Sequence, residues 1–240
     1  MGLMNWIRKI VFPNSYNDTV FKKYLKSKGV LIGENTTIYS PNHVSIDTRK
    51  PWLIRIGDYC SITSGVHILA HDYSRSVLRK RYGEFIGGSL PVTIGDNVFI
   101  GINAVILKGT HIGSDCVIGA GAVVSGHFGD GLVIAGNPAK VICTVEEYFG
   151  KCKQRWIDDA QRCAIAIRRN SGRMPTIEDM SDGYAWLYLP HTKETIDKYP
   201  KWFELTADNP QKVKEDFLQT KPLFNSFEEF LKGIDFEEKE

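Results

Sequence analysis

Between residues 94 and 124 an aliphatic side chain returns every six positions, at Ile94, Ile100, Ile106, Ile112, Ile118 and Val124, and Gly95, Gly101, Gly113 and Gly119 follow four of them. An α-helix repeats its apolar face near 3.6 residues and a strand near 2, so neither accounts for this spacing. A period of six with an adjacent glycine describes a short strand and a tight corner, the aliphatic pointing in and the glycine permitting the turn. One such rung cannot bury its own side chain. Rungs must therefore stack into a solenoid whose interior is a ladder of Ile and Val.

The same count runs upstream. Ile32, Ile38 and Val44 lie in phase, Lys50 misses, and Ile56, Ile62 and Ile68 resume. A lone lysine facing a core would cost several kcal/mol, so residues 48–52, with Pro51, are expected to bulge outward. From Ile68 to Ile94 the phase is lost. The intervening HDYSRSVLRKRYGEFIGGSLPV carries Arg75, Arg79, Lys80, Arg81 and the pair Gly87 and Gly88, which describes an extruded loop rather than further rungs.

The flanks are helical. Residues 16–28 place Val20, Phe21, Tyr24 and Leu25 on one face with Gly29 as a stop; docking or a subunit contact suits this helix better than a membrane anchor. Thr144 and Glu147 form a capping box, and Val145, Tyr148, Phe149, Cys152, Trp156, Ala160, Cys163 and Ile167 follow at helical steps toward Gly172. Short capped helices follow, such as Ser226 to Gly233, with Trp186, Tyr188, Trp202 and Phe203 free either to bury or to form an acceptor cleft. The expected organisation is a helical segment over 1–29, a solenoid over 30–142 with a loop at about 72–91, and a helical extension over 143–240.

Lys and Arg number 30 against 28 Asp and Glu, so no global charge argues for nucleic acid or a membrane surface. The five cysteines form no paired motif, which reads as reduced thiols in a cytoplasmic protein. The N-terminal apolar run is too short for a signal peptide or a spanning helix.

Residues 30–142 resemble the left-handed β-helix acyltransferases. The order of features is similar to the branch holding maltose, galactoside and polysaccharide O-acetyltransferases: rungs, a histidine at a loop root in ILAHDYS, IGDNVFIG rungs, GAGAVV, then AGNPAKVI. The resemblance implies a mainly β fold, a homotrimer with active sites between subunits, acetyl-CoA as co-substrate, and no metal. His71 then matches the catalytic histidine, whose neutral imidazole can take a hydroxyl proton near pH 7. Glu84 matches an acid that contacts the acceptor or the histidine, and Asp72 is secondary, since neighbours on extended chain point apart. For the cofactor, the pattern falls on Ile102, Ala120, Ser125 and Lys140. Gly126 and Cys143 stand where similar proteins carry basic residues, so loop arginines are candidates for the missing phosphate contacts. An oxyanion donor is expected among the N–H groups of residues 101–103, and Phe99 matches an aromatic that lines the cleft. Asn42, His43 and Asp47, on coils below His71, are candidates for acceptor hydroxyls.

The expected activity is acetyl transfer to a sugar or surface-polysaccharide hydroxyl, without a covalent acyl-enzyme. The alternatives are an antibiotic hydroxyl as acceptor, a zinc hydratase using histidines among His67, His71, His111 and His127, and a non-catalytic scaffold on the same solenoid.

Overall fold

The computed structural model describes residues 3–181, 183–204 and 208–236, with residues 3–5 and 8 described by their backbone alone. Contacts divide the chain into two units, residues 1–148 and 149–240.

The first unit opens with α1 (Leu3–Val11) and α2 (Asp18–Lys28) and continues as strands of two or three residues. These are β1 (Leu31–Ile32), β2 (Thr37–Ile38), β3 (Ser45–Ile46), β4 (Ile54–Ile56), β5 (Ser61–Ile62) and β6 (His67–Ile68), then α3 (Ser76–Tyr82). After it come β7 (Val92–Ile94), β8 (Phe99–Ile100), β9 (Val105–Ile106), β10 (His111–Ile112), β11 (Val117–Ile118), β12 (Val123–Val124) and β13 (His127–Phe128). A hairpin of β14 (Leu132–Gly136) and β15 (Ala139–Thr144) ends the series.

Every third strand stacks in parallel, which makes a three-faced prism. The first face orders β1-β4-β7-β10-β13, the second β2-β5-β8-β11-β14 with β15 antiparallel beyond it, and the third β3-β6-β9-β12. Ile32 pairs with Ile56, Ile56 with Ile94 and Ile94 with Ile112, so the ladder inferred from the period of six is the core. Fully burying such side chains is worth about 1.5–3 kcal/mol each.

The register of the first coil differs from the expectation. Val44 does not head a rung; Ile46 does, paired with Ile68, and Val44 is buried two residues before it. The step from Ile38 to Ile46 is eight residues and that from Ile46 to Ile56 is ten. The two insertions, of two and four residues, together make one full period, and the count of six therefore returned on Ile56 by coincidence. Lys50 lies outside the core, as expected, next to a 3-10 turn at Pro51–Leu53.

The glycines also act differently from the expectation. The rung glycines are not themselves left-handed; residues two positions past them are, among them Asn35, Tyr59, Asn97, Asn103 and Asp115. The glycine is required by the coil above: a Cβ on Gly95 would lie 2.7 Å from the Ser114 backbone nitrogen, and one on Gly101 2.6 Å from that of Ala120. Side chains lace the same edge, with the Asp58 N–H donating to Asp96 Oδ1 (2.8 Å) and the Ser114 N–H to Asp130 Oδ1 (2.7 Å).

Helix α2 closes the open end of the prism. Asn17 caps it, Gly29 at φ 104° ends it, and Phe21 and Leu25 enter the core. Asp18 Oδ1 accepts the Ile38 N–H (2.9 Å), a donor for which no earlier coil exists.

The second unit contains most of α4 (Val145–Ser171), together with α5 (Lys193–Lys198), α6 (Pro210–Gln219) and α7 (Phe227–Lys232). The Thr144–Glu147 capping box is formed, with bonds of 3.0 and 3.1 Å. The apolar face read along α4 is buried only from Trp156 onward, around Ala160 and Ala164; Phe149 and Cys152 are exposed. Tyr188, Phe227 and Phe230 pack with these alanines, while Phe203, Val213 and Phe217 form a second cluster against Trp186 and Trp202. Tyr188 donates its hydroxyl to the Met180 carbonyl (2.9 Å).

Candidate active site

Asp47 follows β3 immediately and is buried, with 2% of its side chain exposed. Its Oδ1 accepts the Arg49 N–H (2.9 Å), and its Oδ2 accepts the Ala70 N–H (3.3 Å) and a short hydrogen bond from His71 Nδ1. Burial pushes the Asp47 carboxyl up, but the bonds from His71, Arg49 and Ala70 outweigh it and hold the group below the ordinary carboxylate range. A carboxylate can only accept, so the proton between the pair sits on Nδ1, and Nε2 of a neutral His71 carries a lone pair. Asp47 is therefore corrected from an acceptor contact to the partner of His71. Asn42 and His43 sit on the 3-10 turn between the second and third faces, an edge away from His71, so the three lower-coil candidates do not converge.

The segment after His71 is pinned at its base. His71 bridges Ser89 in antiparallel fashion, the Asp72 N–H donates to the Gly88 carbonyl (3.1 Å), and the Leu90 N–H to that of Ala70 (3.1 Å). The extrusion replaces rungs, as expected, and contains α3; the Arg75 guanidinium donates to the Gly87 carbonyl. Lys108 bonds Asp72 at 2.5 Å and holds its carboxyl well below the usual range. A cleft of about 270 Å³ opens between this loop and the prism, lined by His71, Arg49, Lys50, Tyr73 and Arg79 among others. Glu84 stands exposed on the loop, and among the described residues it makes no hydrogen bond or ion pair with His71.

The positions considered for a cofactor fall on two edges. Ile102 and Ala120 are exposed neighbours on successive coils between the second and third faces, joined by the Gly121 N–H to the Ile102 carbonyl (2.7 Å). Ser125 is exposed on the other edge of the third face, the edge that carries His71, and Lys140 is exposed on β15. Of the N–H groups at 101–103, Gly101 donates to Ile118 and Asn103 to Ser64, which leaves Ile102 as the one without a backbone partner among the described residues. His111 and His127 lie side by side on the first face, with ring centroids 5.9 Å apart, while His67 belongs to the third.

A family model described as the hexapeptide repeat of succinyl-transferase matches residues 91–125. Protein CapG of Staphylococcus aureus is 41% identical over 127 residues, which span 53% of this chain and 73% of CapG. YvoF of Bacillus subtilis, provisionally named an acetyltransferase, is 30% identical over 154 residues, spanning 64% and 74%. This chain belongs to the hexapeptide-repeat acyltransferases. The prism is accordingly the left-handed parallel β-helix of that family, and the protein is an acyltransferase. A galactoside acetyltransferase structure in complex with coenzyme A is 28% identical and overlaps 53% of this acyltransferase and 70% of its own chain, with a TM-score of 0.40.

Within the acyltransferase the partnership of Asp47 with His71 was the relationship that sequence reasoning missed. The signal existed: once Ile46 is recognised as the residue paired with Ile68, Asp47 falls on the coil directly beneath Leu69, at the root of the His71 loop.

Proposed function

We propose that this acyltransferase transfers an acetyl group from acetyl-CoA to a sugar or surface-polysaccharide hydroxyl, with His71 as the general base and Asp47 as the residue that positions it. The observation that carries the reading is the buried Asp47 carboxylate bonded to His71 Nδ1 at the mouth of a cleft. His71 Nε2 takes the acceptor proton as the hydroxyl oxygen attacks the thioester carbonyl. Asp47 stabilises the imidazolium, which returns the proton to the departing thiolate as the C–S bond breaks. Transfer is direct, with no acyl-enzyme.

Bound acetyl-CoA supplies the activated acetyl thioester. The exposed residues Ile102 and Ala120 offer it backbone polar groups, Ser125 a hydroxyl, and Lys140 a point charge for a phosphate; the Ile102 N–H is the candidate oxyanion donor. Because His71 and the Ile102–Ala120 pair occupy separate edges of one prism, the arrangement suits a homotrimer in which two subunits complete each site. Glu84, exposed on the loop, is retained as a candidate acceptor contact. No helix among the described residues is long and apolar enough to cross a membrane, and a cytoplasmic location is part of the proposal.

The test is CoA-thiol release from acetyl-CoA against a panel of sugars and glycans, with wild type beside His71→Ala. Loss of turnover in the variant supports the assignment, and normal turnover refutes it.

A further inference from the structure

The cleft beside His71 is unusual in its charge. Arg49 and Lys50 contribute from the first coil, and Arg75 and Arg79 from the loop. The acidic groups that face them are already occupied. Asp47 is buried beneath His71, and Asp72 is bonded to Lys108. Among the described residues neither Arg49, Lys50 nor Arg79 forms an ion pair, while Arg75 is anchored to the Gly87 carbonyl.

This is not the solvated face of a basic helix. Helix α3 carries Arg79, Lys80 and Arg81 in succession, yet only Arg79 lines the cleft, together with Ser76 three residues earlier. Helical spacing thus turns one cation of the run inward and leaves the others outside. Cations of one sign in a concave site focus their field on whatever enters it. Tyr73, 75% exposed, and Phe85, 84% exposed, add flat apolar surface at the same cleft, suited to the face of a sugar ring.

The geometry points to an acceptor that carries a negative charge, a uronic acid or a sugar phosphate, bound through Arg49, Lys50 and Arg79. The inference rests on the acetyl-transfer reading of the same site. The phosphates of CoA are a poorer match for these cations. The long pantetheine arm separates the diphosphate from the thioester, and it is the reacting ends of both substrates that must meet at His71. An anionic acceptor also gives a role to a loop that the stacking of coils does not require.

The test is a calorimetric titration of the full chain, with CoA present, using three probes: a glucuronate-terminated oligosaccharide, its carboxyl-reduced neutral counterpart, and glucose 1-phosphate. The expected result is tighter binding of at least one anionic probe than of the neutral one, by about ten- to a hundredfold, the size of a charge-assisted hydrogen bond. Which anionic probe wins distinguishes carboxylate from phosphate. Added salt should shrink the difference. Arg79→Gln and Arg49→Gln should each reduce the ratio of anionic to neutral affinity, with the melting temperature as a control for folding. His71→Ala should keep the ratio while losing turnover. Equal binding of the three probes by wild type, or a ratio that survives in both arginine variants, overturns the inference. Preference for an anion without acetyl transfer to any acceptor upholds the anion site but defeats the acetyl-transfer reading, and with it the anion's role as acceptor.

Discussion

Asp47 and His71, 24 residues apart in sequence, share a short hydrogen bond in which a buried carboxylate accepts the Nδ1 proton of a partly exposed imidazole. The bond fixes both the orientation of the ring and the nitrogen that is left free.

Replacing Asp47 with Asn should therefore lower kcat far more than it changes KM. An amide that donates to Nδ1 places the ring proton on Nε2 and removes the base. A loss of about two to four orders of magnitude is expected, comparable with that in His71→Ala, and the double variant should be little worse than either single one. Steady-state kinetics on the three variants measure this. Full activity in Asp47→Asn would show that the ring does not depend on the carboxylate.

Acid stability should carry the mark of the same residue. The Asp47 carboxyl is held below its ordinary value in the folded state, so its contribution is present above about pH 4, the unfolded carboxyl range, and is lost as pH falls through the lowered value. Melting temperature followed into acid should fall less steeply in Asp47→Asn than in wild type. Parallel curves would contradict the assignment.

Direct transfer predicts an unmodified protein. Ser89 lies opposite His71 across the loop stem, which makes it the hydroxyl to watch. Intact mass after incubation with acetyl-CoA and no acceptor should be unchanged. A stable gain of one acetyl group on Ser89 that chases onto an added acceptor would replace direct transfer with a two-step route.

The steric reading of the rung glycines is open to a stability test. Gly95→Ala puts a methyl against the backbone of the next coil and should cost about 1–3 kcal/mol or more, whereas Gly87→Ala, with nothing within 4 Å of the new Cβ, should be nearly neutral. Denaturant unfolding of the two variants compares them directly.

The run from Ile94 to Val124 settled the solenoid without help, because an uninterrupted period of six has one economical packing. The caps of α4 and α7 were equally legible, since Thr144 and Ser226 act on donors three residues away. The first coil was not legible. Insertions of two and four residues cancel in a count of six, and only the pairing of Ile46 with Ile68 reveals them. Along α4 the spacing marked an apolar face but not its buried length, because burial depends on what packs there, and Phe149 and Cys152 stay exposed.

For the candidate site, the sequence pointed to His71, since a break in a strict repeat is visible in one dimension. Tertiary structure decided its partner, and decided which of the loop cations face the cleft. Those are relations between residues on different coils and on opposite faces of a short helix, and they exist only once the chain has stacked.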